Sequence, residues 1–410
     1  MHPKQICIDD YDYPLPENRI AQFPLEQRDR SKLLIINGNR INEDLFCNLP
    51  DHLPDNSLLI FNETRVIHAR LIFRKPGGSQ IEIFCLEPVA PAREHQLAFQ
   101  QQEWAEWKCL VGNSKRWKTG DLILNFNHDG QHISLRVSRV SMTGDGTSTV
   151  LFRWDPPEMT FAEMLDHAGK IPLPPYIHRQ PVSQDEVTYQ TIYARQHGSV
   201  AAPTAGLHFS PEVMTEIKKK NIDLLECVLH VGAGTFRPVT SATLAGHEMH
   251  AEKIFISLDN LKKLRDSSGK TIILVGTTTT RIMESIFWYG VKLIKGLTAG
   301  TEMDIRQWDP YEMKETEYIT REESLDRVIL ECEQYQARGV SGYTGLMIAP
   351  GYTFRYPDIL ITNFHQPRST LLLLIAAFIG ENWRKAYHYA LENSFRFLSY
   401  GDSCLFFKSE

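Results

Sequence analysis

Five histidines, His208, His230, His247, His250 and His365, stand in or beside polar, irregular stretches of the sequence, and Glu252 follows closely on the third and fourth. Imidazole titrates near neutrality, so residues of this type suit proton transfer. A metal site would need three or four converging ligands. The stretch His247 to His250 (HEMH) lacks the HExxH spacing, and the seven scattered cysteines include no CxxC pair, so no metal is expected. Structural hydrogen bonding is the competing role, and not all five histidines can be catalytic. Two other stretches can hold a ligand. The run Thr277, Thr278, Thr279, Thr280 followed by Arg281 offers hydroxyls and backbone N–H groups to an anion, or simply caps a helix. The loop HVGAGT at 230–235 can cradle a phosphate or nucleoside with its N–H groups. A tight turn explains it equally well, and neither GxGxxG nor GxxxxGK[ST] occurs in the chain.

The elements that must position these residues repeat a strand, polar loop, helix pattern. Ser210 is a good N-cap, with Pro211 and Glu212 in the first turn, which predicts a helix ending near Asn221. The apolar run 222–231 reads as a strand entering the glycine loop. TIILV at 271–275 is a buried strand pattern leading to the threonine run and a helix over 281–288. Another strand at 359–362 leads to Asn363 and His365, with Ser369 capping a helix over 370–378. Such units build an α/β fold, whose ligands gather at the carboxyl ends of the strands. Residues 289–343 hold a further helix, with Thr320 and Glu323 as a capping box. Its Leu325, Val328, Ile329, Cys332 and Tyr335 fall on one face, read as core.

Between residues 69 and 154 the texture changes to alternating strands separated by Gly77-Gly78, Thr119-Gly120, Asp129-Gly130 and Gly144-Asp145-Gly146. This spacing predicts a small antiparallel β-barrel inserted into the α/β domain, which is then made of residues 1–68 and 155–410. The proline run at 171–176 reads as a linker or a packed loop wall. With 410 residues, 42% hydrophobic and 23% charged, the chain has the composition of a soluble protein. Its formal charge of −6 confines any nucleic-acid binding to a local basic face. Basic clusters stand at Arg65, Arg70, Arg74 and Lys75, at Lys115, Arg116 and Lys118 beside Trp117, and at 218–220, although a charge run is more often a solvated face. No signal segment or span of roughly 20 apolar residues is present, so a cytoplasmic location and no membrane partner are expected.

The same residues carry a resemblance. DYD at 10–12 with LP at 15–16 and IAQFP at 20–24, then 62–69, GSVAAPTAGLHF at 198–209, LHVGAGTFRPV at 229–239, 247–252, 275–285, 350–354, 362–371 and 396–402 look like the S-adenosylmethionine:tRNA ribosyltransferase-isomerase family. The match is collinear over nearly the whole chain. It implies a queuosine-biosynthesis enzyme that takes S-adenosylmethionine as co-substrate, without a prosthetic group, and acts on tRNA carrying 7-aminomethyl-7-deazaguanine. The products are epoxyqueuosine in tRNA, adenine and methionine. An α/β fold with an inserted β-barrel is implied as well, and a monomer is expected. His208, His250 or His365 are the expected proton-transfer groups, with Glu252 and Asp402 as carboxylate alternatives or orienters. Thr277, Thr278 and Arg281 are expected to hold the methionine carboxylate, and Gly232 and Gly234 to face the nucleoside. Asn62, Thr64, Arg65, Thr204, Gly206, His230, Thr235, Arg237 and Asn363 complete the expected substrate-binding set. The chain departs from the family pattern at Glu63, Thr279 and Gln366, where aspartate, serine and leucine are usual, and in the extra segment 289–343. The competing readings are a non-catalytic tRNA-binding protein on this fold and a paralogue with another ribosyl acceptor.

Overall fold

The apolar runs of the sequence become the inner strands of one large sheet. The computed structural model describes residues 2–75, 77–128, 130–143, 146–230, 239–313, 316 and 318–409. Its strands are β1 (Lys32–Asn37), β2 (Arg40–Leu45), β3 (Ser57–Asn62), β4 (Thr64–Val66), β5 (Arg70–Arg74), β6 (Gln80–Ala90), β7 (Trp104–Gly112), β8 (Leu122–His128) and β9 (Gln131–Met142). They continue as β10 (Thr147–Asp155), β11 (Gln196–Ser199), β12 (Asp223–His230), β13 (Glu252–Ser257), β14 (Thr271–Val275), β15 (Glu302–Ile305), β16 (Gly339–Thr344), β17 (Ile359–Asn363) and β18 (Ser403–Phe407). The described helices of eight or more residues are α1 (Phe161–Ala168), α2 (Pro211–Lys219), α3 (Leu258–Asp266), α4 (Gly276–Ile294), α5 (Arg321–Gln334), α6 (Thr370–Ile379) and α7 (Asn382–Glu392).

Ten strands form the main sheet in the order β15-β16-β13-β12-β3-β14-β17-β18-β1-β2. Its centre, β12, β3, β14 and β17, is parallel throughout. β13 and β18 flank that centre and run antiparallel to it. The central strands are buried on both faces, as parallel strands between helices must be. Side chains alternate between two cores: Leu58, Ile60, Ile272, Leu274 and Leu360 pack with α3 to α7, while Leu59, Phe61, Ile273, Val275 and Ile361 pack with α2.

Helix α2 starts at the Ser210 cap, whose hydroxyl accepts from the Val213 N–H, and ends two residues before the predicted Asn221. Helix α4 is far longer than the predicted 281–288. It begins directly at the end of β14 because Gly276, at φ +90°, takes the left-handed turn that joins strand to helix. It runs on to Ile294 because the helix is buried around most of its girth. At Gly290 a Cβ would lie 2.1 Å from the Ser324 Oγ, so this glycine lets α5 pack close.

The segment 289–343 supplies more than the one helix read from sequence. The capping box at Thr320 and the buried Leu325, Val328, Ile329 and Cys332 match the expectation. Tyr335 does not: it follows the last helical residue and is 53% exposed. β15 and β16 extend the sheet from this segment. The glycines of GVSGYT hid β16, and a Cβ on Gly342 would collide with the Met303 carbonyl at 1.9 Å, so close strand approach selects glycine here.

The second sheet is antiparallel, in the order β5-β6-β7-β10-β9-β8, and its edge strands β5 and β8 meet so that it nearly closes into a barrel. The alternation is visible in burial: Ile81, Ile83, Ile133, Leu135 and Val137 point inward. Trp107, Phe152 and Trp154 fill the core together with Phe161, Met164 and Leu165 of α1, so the packed unit reaches past residue 155. No described helix is long and apolar enough to cross a membrane.

One buried carboxylate fixes a loop against α4. Glu284 is fully buried and accepts hydrogen bonds from the Tyr352 hydroxyl (2.7 Å) and the backbone N–H groups of Arg355 (3.0 Å) and Tyr356 (2.9 Å). Burial raises its pKa, and the three donors oppose that shift. Truncation strands those donors, so Glu284→Ala is expected to lower unfolding stability by roughly 3 kcal/mol, measured by urea denaturation. Glu284→Gln keeps one acceptor and should lose less. Equal loss in both variants would refute this account.

Candidate active site

The parallel strands decide where the polar loops go. Asn62 ends β3, Gly276 follows β14, and Asn363 ends β17, all at one edge of the sheet. The antiparallel neighbours begin there, which brings Glu252 at the start of β13 and Asp402 just before β18 to the same edge. A cleft of about 720 Å3, open to solvent, lies among these loops. Thr204, Thr277, Thr278, Asn363 and His365 line it, with Tyr176, Gln366, Leu398 and Ser399.

His365 is held by its backbone and its ring. Its N–H donates to the Tyr387 hydroxyl (3.0 Å), and its Nε2 lies 3.0 Å from the Thr362 Oγ1. Burial pulls its pKa down to about 3. His208 does not line this cleft. It is wedged behind Asn363, with Nε2 at 3.0 Å from the Asn363 amide and Nδ1 at 2.8 Å from the Ser31 hydroxyl. Its pKa is pulled down to about 3 by burial first, then by the nearby Arg396 and Arg28 guanidiniums. Both imidazoles are therefore neutral at neutral pH, because burial disfavours their protonated form. Among the described residues the buried Asn363 Oδ1 has no hydrogen-bond partner.

The threonine run divides. Thr279 and Thr280 donate back to the carbonyls of Val275 (2.6 Å) and Gly276 (3.1 Å), as hydroxyls in a helix can, which leaves Thr277 and Thr278 at the cleft. The first N–H groups of α4 have no partner within the helix and lie at the same place. Arg281, one turn further, does not line the cleft. Its guanidinium is buried and pairs with Glu252 at 3.2 Å. Glu252 is likewise engaged, and His250 is exposed on the strand lead-in beside it. His247 has its pKa lowered by burial first, then by the nearby His250 and Arg281.

Other expected residues hold the frame. The Asn62 amide donates to the Leu229 carbonyl (3.1 Å) and accepts from the N–H groups of Leu229 and Thr64 (both 3.2 Å), tying β3 to β12. Thr64 is buried and reaches the Gln196 carbonyl at 3.4 Å, while Arg65 is exposed. At Gly206 a Cβ would lie 2.0 Å from the Tyr193 hydroxyl, so its role is close packing. Asp402 accepts from the N–H groups of Lys32 (2.9 Å) and Arg396 (2.7 Å), and burial raises its pKa. It braces the 396–402 turn, where Leu398 is held at φ +68°. Gly232, Gly234, Thr235 and Arg237 lie outside the described residues, as does the side chain of His230.

Sequence reading missed Tyr176 and Ser399. Tyr176, at the end of the proline run, lines the cleft, and its hydroxyl lies 2.6 Å from the Ser399 hydroxyl. A tyrosine closing a rigid proline run was the available signal. Of the basic clusters, the first two meet on the barrel, where Lys75 donates to the Arg116 carbonyl at 3.1 Å. Trp117 is buried under the Arg139 guanidinium at 4.6 Å, so it offers no stacking face. Lys220 tethers α2 to the carbonyls of Pro50 and Leu53, both at 2.8 Å.

The two neutral histidines make stability depend on acid. The unfolded chain takes up protons on these rings below about pH 6.5, whereas the folded protein resists until about pH 3, so their contribution is complete above pH 6.5 and is lost as the pH falls through that window. Melting temperature should fall between pH 7 and roughly pH 4.5 less steeply for His365→Gln than for the unaltered protein. Parallel curves would refute the burial argument.

A sequence model of the queuosine biosynthesis protein family matches residues 8–406. A protein of Aromatoleum aromaticum named S-adenosylmethionine:tRNA ribosyltransferase-isomerase is 36% identical over 401 residues, 97% of this chain and 96% of that protein. One of the same name from Desulfitobacterium hafniense is 36% identical over 403 residues, covering 97% of this chain and 99% of its own. The crystal structure of an S-adenosylmethionine tRNA ribosyltransferase from Thermotoga maritima is 28% identical, covers 97% of this chain and 99% of its own, and superposes with a TM-score of 0.46. With the family pattern running from Ile8 to Phe406 and such identity over almost all of each relative, the chain belongs to the queuosine biosynthesis protein family.

Proposed function

We propose that this chain transfers and isomerises the ribosyl moiety of S-adenosylmethionine onto 7-aminomethyl-7-deazaguanine in tRNA. Epoxyqueuosine in tRNA forms, and adenine and methionine leave. The names of its full-length relatives support the tRNA and S-adenosylmethionine substrates. The observation that carries the reading is one cleft containing a neutral imidazole, His365, opposite a helix start that bears two free-standing threonines.

The reaction requires a base for a proton on the carbon beside the sulfonium, a proton for the departing adenine, and a neutral amine as nucleophile. Positive sulfur acidifies the neighbouring carbon, and a neutral imidazole can take its proton. His365 is the group in this reading that meets the substrate. His208 acts one step back, orienting Asn363. Thr277, Thr278 and the open N–H groups of α4 receive the methionine carboxylate, which the positive helix end favours. Glu252 and Arg281 neutralise each other at the edge of the site, and Asp402 shapes the turn beside it.

Incubation with S-adenosylmethionine and tRNA bearing the aminomethyl base should release adenine and yield the modified nucleoside by mass spectrometry. Binding without adenine release would refute the proposal, and release only with another acceptor would redirect it. His365→Gln is expected to lower kcat by 10²-fold or more, on the order of general acid–base contributions, with little change in KM for S-adenosylmethionine. Thr278→Val should raise that KM by about tenfold, as loss of one hydrogen bond to a charged group implies. Unchanged kinetics in both variants would remove this cleft as the site.

A further inference from the structure

A second cavity, open to solvent, lies on the far side of His208, and Ser399 lines both it and the cleft. Arg28, Arg396 and His208 converge on it, along with Ser31. The Arg28 guanidinium donates to the carbonyls of Gln190 (3.0 Å) and Val187 (3.4 Å). That of Arg396 donates to the carbonyls of Phe23 (3.2 Å) and Tyr400 (2.8 Å). Neutral carbonyls aim a guanidinium without cancelling its charge.

Among the described residues no carboxylate pairs closely with either: Arg28 has no ion pair, and Arg396 has only a long one, 4.0 Å to Asp402. Asp402 and Asp29 act on Arg396 and Arg28 from a distance, while accepting from two backbone N–H groups and from the Ser210 hydroxyl (2.7 Å) respectively. Glu26 stands on the exposed rim. Two partly buried cations around one cavity are costly without an anion, and guanidiniums suit an oxyanion with two accessible oxygens. Both guanidiniums lie close enough to His208 to lower its pKa, after burial.

We propose that this cavity seats a backbone phosphate of the tRNA, next to the nucleotide whose base enters the adjoining cleft. The inference rests on the tRNA reading given above. The cavity opens to solvent, so a polymer can place a phosphate in it from outside, and the substrate carboxylate already has its place at Thr277 and Thr278. A phosphate there would sit against His208, which touches Asn363 in the cleft, so the geometry links the RNA backbone to the reacting base.

Binding of substrate tRNA to the full chain, measured by fluorescence anisotropy across a salt series, tests this. Arg28→Gln and Arg396→Gln should each weaken binding and reduce the slope of log K against log salt by about 1, with KM for S-adenosylmethionine unchanged. Unchanged slopes in correctly folded variants would overturn the proposal, as would a raised KM for S-adenosylmethionine with unaltered RNA binding, which would give the cavity to the substrate carboxylate. RNA made neutral at single phosphates by methylphosphonate tests the unaltered protein directly. One position flanking the target base should weaken binding, and no such position would refute the phosphate seat. Failure of the unaltered protein to bind tRNA at all would overturn the tRNA reading together with this one.

Discussion

The direction of four neighbouring strands governs this molecule. Because β12, β3, β14 and β17 are parallel, every loop that leaves them does so at the same edge, and helices must cover both faces to return the chain. Antiparallel β13 and β18 begin at that edge, which adds Glu252 and Asp402 to the residues delivered by the parallel strands. The cleft is thus a consequence of topology, and residues more than 300 positions apart, such as Ser31 and Asn363, come to share one histidine between them.

Electrostatics then sorts what topology has gathered. Burial keeps His208 and His365 neutral, Arg281 and Glu252 cancel each other, and Asp402 and Glu284 serve backbone N–H groups. Such neutralisation is what low-dielectric surroundings demand of ionisable groups. Arg28 and Arg396 differ: among the described residues their guanidiniums donate to carbonyls, and the one ion pair is the 4.0 Å contact of Arg396 with Asp402.

Strands with continuous apolar patterns and helices with caps were legible in the sequence: β14 and the starts of α2, α5 and α6 fall where periodicity and capping residues place them. What escaped were elements whose local signal is weak. β16 carries two glycines and β2 is a polar edge strand, so neither shows a buried pattern, and both form because a neighbouring strand offers hydrogen-bond partners. α4 reaches past its predicted ends because tertiary burial overrides the modest helix propensity of threonine and of aromatic residues.

By itself the sequence determined the class of fold, the barrel-like strand region and the pool of residues from which the site is drawn, since periodicity, capping and residue chemistry are local properties. Its family motifs determined the kinship. Only the tertiary structure decided which members of that pool meet. It placed His365, Thr277 and Thr278 on one cleft, set His208 behind Asn363, and turned Arg281 toward Glu252. The physical reason is that proximity and pKa depend on packing between distant segments, and on what each charge faces once water has been excluded, and neither is written in the spacing of residues along the chain.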